Sequence, residues 1–133
     1  YVVASVGRLN AMAEHAASVG VGFVGINSND PVVYENDSWE HMVKRADGGM
    51  PYPYLHDAEQ TVATAWGAER TPEVYLLNAQ DEVVYRGRMD DSPKDPGQVT
   101  VQDLHDALTA MLDGQAPAVN RTQSIGCSVK WKA

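Results

Sequence analysis

The chain has 133 residues, of which 44% are hydrophobic and 21% charged, a composition typical of one globular domain. Its net charge of −8 argues against nucleic acid as a partner, since nucleic-acid-binding domains carry basic patches. No apolar run approaches the roughly 18 residues of a membrane span and no signal peptide is recognisable, so no membrane partner is expected.

The first predicted elements are a helix and a strand. Residues 2–19 have an apolar stripe at helical spacing, and Gly20 can end that helix. The stripe consists of Val2, Val6, Leu9, Ala13 and Ala16. Because no capping residue precedes the stripe, we expect the helix to begin upstream of Tyr1. Residues 21–27, VGFVGIN, predict a strand covered on both faces in a parallel sheet.

Two further helices are predicted from capping-box spacing, in which a polar residue and a Glu or Gln three residues later satisfy the first N–H groups. Asp37 and Glu40 have this spacing at the start of the first of these helices. Asp57 and Gln60 repeat it before a shorter helix that Gly67 closes.

The second half of the chain predicts a hairpin and a last helix. After the extended, proline-punctuated residues 50–57 and the short helix, the strands 73–78 and 82–87 are joined by a tight polar turn. Thr100 is expected to cap the last helix. One face of that helix is formed by Leu104, Ala107, Leu108 and Met111.

This order of elements predicts an α/β fold with a mixed central sheet flanked by helices and a C-terminal β-hairpin plus helix. We expect residues 1–133 to form a single domain that is incomplete at its N-terminus, with residues 115–133 as a C-terminal tail. The hairpin and last helix resemble the second half of a thioredoxin fold, in which a Thr-, Ser- or Val-Pro step with a cis peptide bond opens the hairpin. Thr71-Pro72 occupies that place, so we expect a cis bond there and a turn that presents the backbone of residue 71 to an extended ligand.

Four phrases of the sequence resemble a known family in the expected order. They are GVGFVGINSND, PYPYLHDAEQTVATAWGAERTPEVYLLNA, VVYRGRMDDS and SIGCSVKW. Together they resemble the thioredoxin-like proteins of the alkyl hydroperoxide reductase and thiol-specific antioxidant family, and most of all its bacterial redoxin branch. The resemblance implies an antioxidant oxidoreductase of cell redox homeostasis, with a disulfide or peroxide substrate, a thiol reductant and no cofactor.

The resemblance also implies a nucleophile that these residues lack. Redoxins of this kind carry their reactive cysteine, or a Cys-x-x-Cys pair, at the start of the first main helix, which here lies just before Tyr1. We therefore expect an upstream cysteine. The strands at residues 21–27 and 73–78 should not pair with each other, and the place between them should be filled by an upstream strand or by a strand from another chain. The 133 residues alone should show no appreciable disulfide reductase turnover. The alternative is a redox-inactive thioredoxin-fold module that binds peptides or proteins in the same groove.

Four residues are candidates for the site. Thr71 and Pro72 would shape the substrate groove, and Arg70, where many relatives have cysteine, either favours a nearby thiolate or is a solvated surface residue. Cys127 is the only cysteine, so it either resolves an oxidised thiol upstream or packs as a small apolar residue under the tail.

The cysteine count also bears on compartment and metal binding. With one cysteine, no disulfide can form within these residues, which favours a reducing compartment, and we expect a cytoplasmic protein. The four histidines fall at no ligand spacing, and a four-ligand site would need more cysteines, so we expect no metal.

Overall fold

The computed structural model describes residues 2–92 and 94–132. Helices and strands alternate along it, as expected of an α/β protein. The elements in chain order are α1 (Val2–Ser18), β1 (Gly25–Asn27), α2 (Trp39–Asp47), β2 (Tyr54–His56), α3 (Thr61–Trp66), β3 (Arg70–Thr71), β4 (Val74–Leu77), β5 (Val83–Gly87), α4 (Asp103–Leu112) and β6 (Cys127–Ser128).

The strands form three two-stranded ladders, β1–β2, β3–β6 and β4–β5. β1 and β2 are parallel, whereas β4 and β5 are antiparallel, so both senses of pairing occur as predicted. β1 and β4 belong to different ladders, in agreement with the expectation that these two strands do not pair with each other.

The chain divides into two compact units. The hairpin unit comprises Tyr1–Val6 and Arg70–Cys127, and the β1–β2 unit comprises Gly7–Glu69 and Ser128–Ala133.

The hairpin unit is built on the predicted β4–β5 hairpin, which the structure confirms. Asn78 organises its turn, because the Asn78 side-chain oxygen accepts hydrogen bonds from the N–H groups of Gln80 and Glu82 at 3.0 and 2.9 Å. Asp81 adopts a left-handed φ of 61°, which Asp tolerates better than most residues. The turn is therefore fixed by short polar side chains.

A buried tyrosine joins β5 to the tail. The Tyr85 side chain is 0% exposed, and its hydroxyl donates to the Arg88 carbonyl at 2.6 Å. Thr122 Oγ1 lies 2.8 Å from the same hydroxyl and accepts from the Arg88 N–H at 2.9 Å. Gly87, with a φ of 140°, lies so close to Thr122 that a Cβ would stand 2.9 Å from its nitrogen. Only glycine fits there.

The last helix is confirmed, but its predicted cap is wrong. Leu104, Ala107 and Leu108 are buried as expected, and Met111 is partly buried. α4 begins at Asp103 with Gln102 at the N-cap position, so Thr100 lies too early to cap it, and the Thr100 hydroxyl and N–H instead both donate to the Asp91 carboxylate. These bonds, the Thr100 hydroxyl first, lower the pKa of Asp91 to about 2.

The predicted first helix is confirmed as α1, whose residues from Gly7 onward belong to the β1–β2 unit. Ala13 and Ala16 of its apolar stripe are buried, Leu9 is partly buried and Val6 is exposed. The side chain of the stripe residue Val2 lies outside the part of the chain whose burial the structure describes. Gly20, with a φ of 79°, follows the end of α1 as expected.

The expected strand over residues 21–27 is shorter than predicted and is not covered on both faces. β1 pairs in parallel with β2. The residues of β2 lie in the segment 50–57, which was expected to be extended but not to form a strand. Val24 and Ile26 are 52% and 48% exposed, and Leu55, the register partner of Ile26, is 51% exposed. Successive strand residues point to opposite faces, and within the described residues this face of the two-stranded ladder is left open.

The two capping predictions are partly correct. α2 is capped by Ser38, one residue later than expected, because the Asp37 carboxylate is engaged by Arg45 at 2.8 Å and by Asn29 at 2.7 Å. At α3, Asp57 does bond the first N–H groups, and Gly67 closes the helix in the left-handed conformation.

The Gln60 side chain has a different role from the predicted cap. Gln60 is 5% exposed and adopts a left-handed φ of 60°. Its amide donates to the carbonyls of Ser28 and Lys130, each at 2.8 Å, and accepts from the Lys132 N–H at 3.0 Å. Gln60 therefore fixes the end of the tail within this unit.

Candidate functional site

The peptide bond between Thr71 and Pro72 is cis, as the sequence predicts. It lies between β3 and β4, and both residues are partly exposed. Pro72 thus stands two residues before the first hairpin strand, which begins at Val74, where a missing N–H costs no ladder hydrogen bond.

Gly126 packs directly against this turn. A Cβ on Gly126 would overlap the Thr71 carbonyl oxygen and would stand 2.8 Å from the Thr71 carbonyl carbon and 3.2 Å from the Pro72 nitrogen. Real Cβ atoms do not approach backbone so closely, so any larger residue at 126 would push the tail away from the turn. The tail therefore meets the cis-proline through a glycine.

Arg70 is exposed and bonded to the same part of the tail. Its Nη1 donates to the Gly126 carbonyl at 3.3 Å. The residue is therefore at the surface, as one of the two interpretations expects, but its guanidinium is held beside the residue that precedes Cys127. Its predicted role in substrate binding stays a prediction.

Cys127 is exposed, and it belongs to β6, which pairs with β3. The alternative in which Cys127 packs as a buried apolar residue under the tail is therefore wrong. Exposure is what reaction with a second thiol requires, and the role of Cys127 in catalysis stays a prediction.

The structure brings all four predicted site residues into the hairpin unit, around the β3–β6 ladder. Gly126 was missed from the sequence, although it stands in the phrase SIGCSVKW next to the cysteine. An isolated glycine at a strand end is a signal of close backbone approach, and it could have indicated this contact.

A charged cluster supports the strand that follows Pro72. Arg86 Nη2 lies 3.3 Å from Glu73 Oε1, and the Arg86 guanidinium lies 4.9 Å from the centre of the Tyr75 ring. The Tyr75 hydroxyl donates to the Glu73 carboxylate at 3.0 Å. Burial, and then this bond to Glu73, raise the pKa of Tyr75 to about 12, so its hydroxyl stays protonated. The cluster fixes β4 and β5 directly after the cis-proline.

Within the described residues, no group of three or more His, Cys, Asp or Glu side chains is arranged to hold a metal ion. The helices in that part of the chain all fall short of the length and hydropathy that crossing a bilayer takes.

Comparison with known proteins gives consistent matches. The family model described as Redoxin matches residues 1–108. The crystal structure of a hypothetical protein from Sinorhizobium meliloti 1021 is similar with a TM-score of 0.91 and 35% identity, over 100% of this chain and 74% of that one. The crystal structure of an uncharacterized conserved protein from Geobacillus kaustophilus is similar with a TM-score of 0.90 and 42% identity, over 99% of this chain and 71% of that one. No curated protein matches the chain significantly.

Proposed function

Because the chain belongs to the Redoxin family and has a thioredoxin-like fold, we propose that it carries out thiol-based reduction of disulfides or peroxides. The observation that carries this proposal is the cis Thr71-Pro72 bond in direct contact with the segment that holds the exposed Cys127. This turn is the substrate-facing part of the proposed site.

The nucleophile in this proposal is a cysteine immediately upstream of Tyr1, at the start of α1. Two observations support that location. The beginning of α1 and the cis-proline fall in the same compact unit, and α1 is a helix of 17 residues. The N-terminus of such a helix carries a partial positive charge, which stabilises a thiolate relative to the thiol and makes it reactive at neutral pH.

With a peroxide, the thiolate sulfur attacks one peroxide oxygen and the O–O bond breaks. The leaving oxygen takes up a proton as water or alcohol, and the sulfur is oxidised to a sulfenic acid. A second thiol, which we propose to be Cys127, then attacks the sulfenic sulfur, releases water and forms a disulfide. An external thiol reductant returns both sulfurs to thiols and is itself oxidised.

With a disulfide, the thiolate attacks one substrate sulfur, the S–S bond breaks, and the other sulfur leaves as a thiolate. The Cys127 thiolate then attacks the upstream cysteine's sulfur in the mixed disulfide, the second substrate sulfur leaves as a thiolate, and the external thiol reductant reduces the internal disulfide that has formed. A cytoplasmic location belongs to the proposal as well, since the reductant needs a reducing compartment and the 133 residues hold a single cysteine.

The test is trapping of the oxidised cysteine in the natural gene product. One equivalent of hydrogen peroxide should convert the wild type to an internal disulfide, because Cys127 resolves the sulfenic acid. The Cys127→Ser variant should instead stop at the sulfenic acid and be labelled by dimedone, and Ser128→Ala should behave as the wild type. A Cys127→Ser protein that forms the same internal disulfide would contradict the proposed role, and no oxidation in any variant would favour the redox-inactive binding module.

A further inference from the structure

We propose that Gly126 and Cys127 close one edge of β3 beside the cis-proline, so that the site accepts small peroxides and low-molecular-weight disulfides in preference to extended polypeptides. This inference rests on the proposed function and names its substrate class. The sequence predicts that the turn presents the backbone of residue 71 to an extended ligand, but in the structure this backbone already has a partner within the chain.

The first support is the contact between the tail and the turn. β6 is hydrogen-bonded to β3, the two-residue strand that ends at Thr71. Gly126, directly before β6, covers the Thr71 carbonyl so closely that no side chain fits between them. One edge of β3 is thus paired with β6, and the Thr71 carbonyl at its end is covered by Gly126.

The second support is that the tail is anchored on both sides of Cys127. On one side, the Gly126 carbonyl accepts from Arg70 at 3.3 Å. On the other side, within the β1–β2 unit, the buried Val129 donates its N–H to the Glu69 carbonyl at 3.0 Å. The backbone N–H of the next residue, Lys130, donates to Asn29 Oδ1 at 2.8 Å, and the Lys130 carbonyl accepts from the side-chain amide of Gln60. The Arg70 bond holds Gly126 beside β3 in the hairpin unit, and the bonds of Val129 and Lys130 fix the residues after β6 within the β1–β2 unit.

The consequence differs between substrate classes. An extended polypeptide gains much of its affinity at a strand edge from main-chain hydrogen bonds, as in β-strand addition. Here it would first have to displace β6 and break the bonds of the tail. A peroxide has no peptide backbone and needs only access to the thiolate. Its reaction is therefore not slowed by the occupied strand edge.

Gly126→Ala tests this directly, since the added Cβ overlaps the Thr71 carbonyl and must push the tail outward. Gly22→Ala is the matched control, because a Cβ at Gly22 meets nothing within 4 Å. Both variants are made in the natural gene product, and kcat/KM is measured with hydrogen peroxide and with insulin disulfides, using dithiothreitol as donor.

We expect the wild type to favour hydrogen peroxide. Gly126→Ala should raise the ratio of insulin to peroxide efficiency by about tenfold, the effect expected when one or two backbone hydrogen bonds are lost. Gly22→Ala should leave the ratio unchanged. A wild type that reduces insulin as efficiently as hydrogen peroxide, or an unchanged ratio in Gly126→Ala, would overturn the inference.

If Gly126→Ala does not fold, or if neither substrate is turned over, amide hydrogen exchange of the wild type tests the inference instead. The amides that join β3 and β6 should exchange far more slowly than those of an unstructured segment. Exchange at the unstructured rate would overturn the inference. Absence of turnover with both substrates would contradict the proposed function alone, and slow exchange would then still support the closed edge.

Discussion

At the scale of single residues, Thr122 connects a buried tyrosine to the tail. Its hydroxyl lies 2.8 Å from the Tyr85 hydroxyl and accepts from the Arg88 N–H at 2.9 Å. A donor or acceptor left unpaired in such a buried place costs more than the net strength of one hydrogen bond. Thr122 is therefore a determinant of stability in a stretch of the chain with no helical or strand periodicity.

Replacing Thr122 by Val removes the hydroxyl at nearly constant volume. Because Tyr85 and the Arg88 N–H both lose a partner, we expect the free energy of unfolding to fall by about 1–3 kcal/mol. Thr109→Val is the control, since that hydroxyl bonds the His105 carbonyl at an exposed position, and a change within about 0.5 kcal/mol is expected. Urea unfolding measures both, and equal effects of the two substitutions would contradict the assigned role.

At the scale of elements, α3 depends on a carboxylate that precedes it. Asp57 accepts from the N–H groups of Ala63 at 3.0 Å and Val62 at 3.3 Å, and from the Ser28 hydroxyl at 2.7 Å. Burial alone would raise the pKa of Asp57, but these hydrogen bonds outweigh it and hold the pKa below its ordinary value of 3.8. The pKa of Asp57 is therefore lower in the folded state than in the unfolded state. The stabilisation that the Asp57 carboxylate gives is fully present at a pH above its ordinary pKa, and it is lost as the pH falls through the lower pKa of the folded state.

Asp57→Ala should lower the free energy of unfolding at pH 7 by about 1–2 kcal/mol, as loss of a helix cap does. The difference from the wild type should shrink below about pH 4, where the unfolded state takes up the proton first. Asp47→Ala, at an exposed position in the last turn of α2, should change stability by no more than about 0.5 kcal/mol. Urea unfolding at both pH values provides the measurement, and a cost for Asp57→Ala that does not vary with pH would contradict the argument.

Elements whose signals are local could be predicted from the sequence. The hairpin follows from two apolar runs around a polar turn, and the buried face of α4 follows from its spacing. Helix starts were less predictable, because a capping side chain can be engaged in other bonds, as the Asp37 carboxylate is by Asn29 and Arg45. β2 was missed because its three residues follow two prolines, and its pairing with β1 depends on a partner remote in sequence.

At the scale of the whole molecule, the resemblance to redoxins predicted the family, the fold and the cis bond, because several phrases occur in a fixed order. The contact of Gly126 with Thr71 joins residues far apart in sequence, and no local pattern specifies such a partner. The same holds for the Gln60 bonds to the tail, which use a side chain that its spacing had assigned to a helix cap. The contact between Gly126 and Thr71 thus adds to the site a residue that the sequence alone did not indicate.

We propose that a cysteine upstream of Tyr1 is oxidised beside the Thr71-Pro72 turn and then forms a disulfide with Cys127. The most direct measurement is the intact mass of the natural gene product after thiol alkylation, before and after one equivalent of hydrogen peroxide. We expect at least two alkylated thiols before oxidation and two fewer after it, with Cys127 among those lost. A gene product in which Cys127 is the only thiol, or in which peroxide leaves the number of alkylated thiols unchanged, would contradict it.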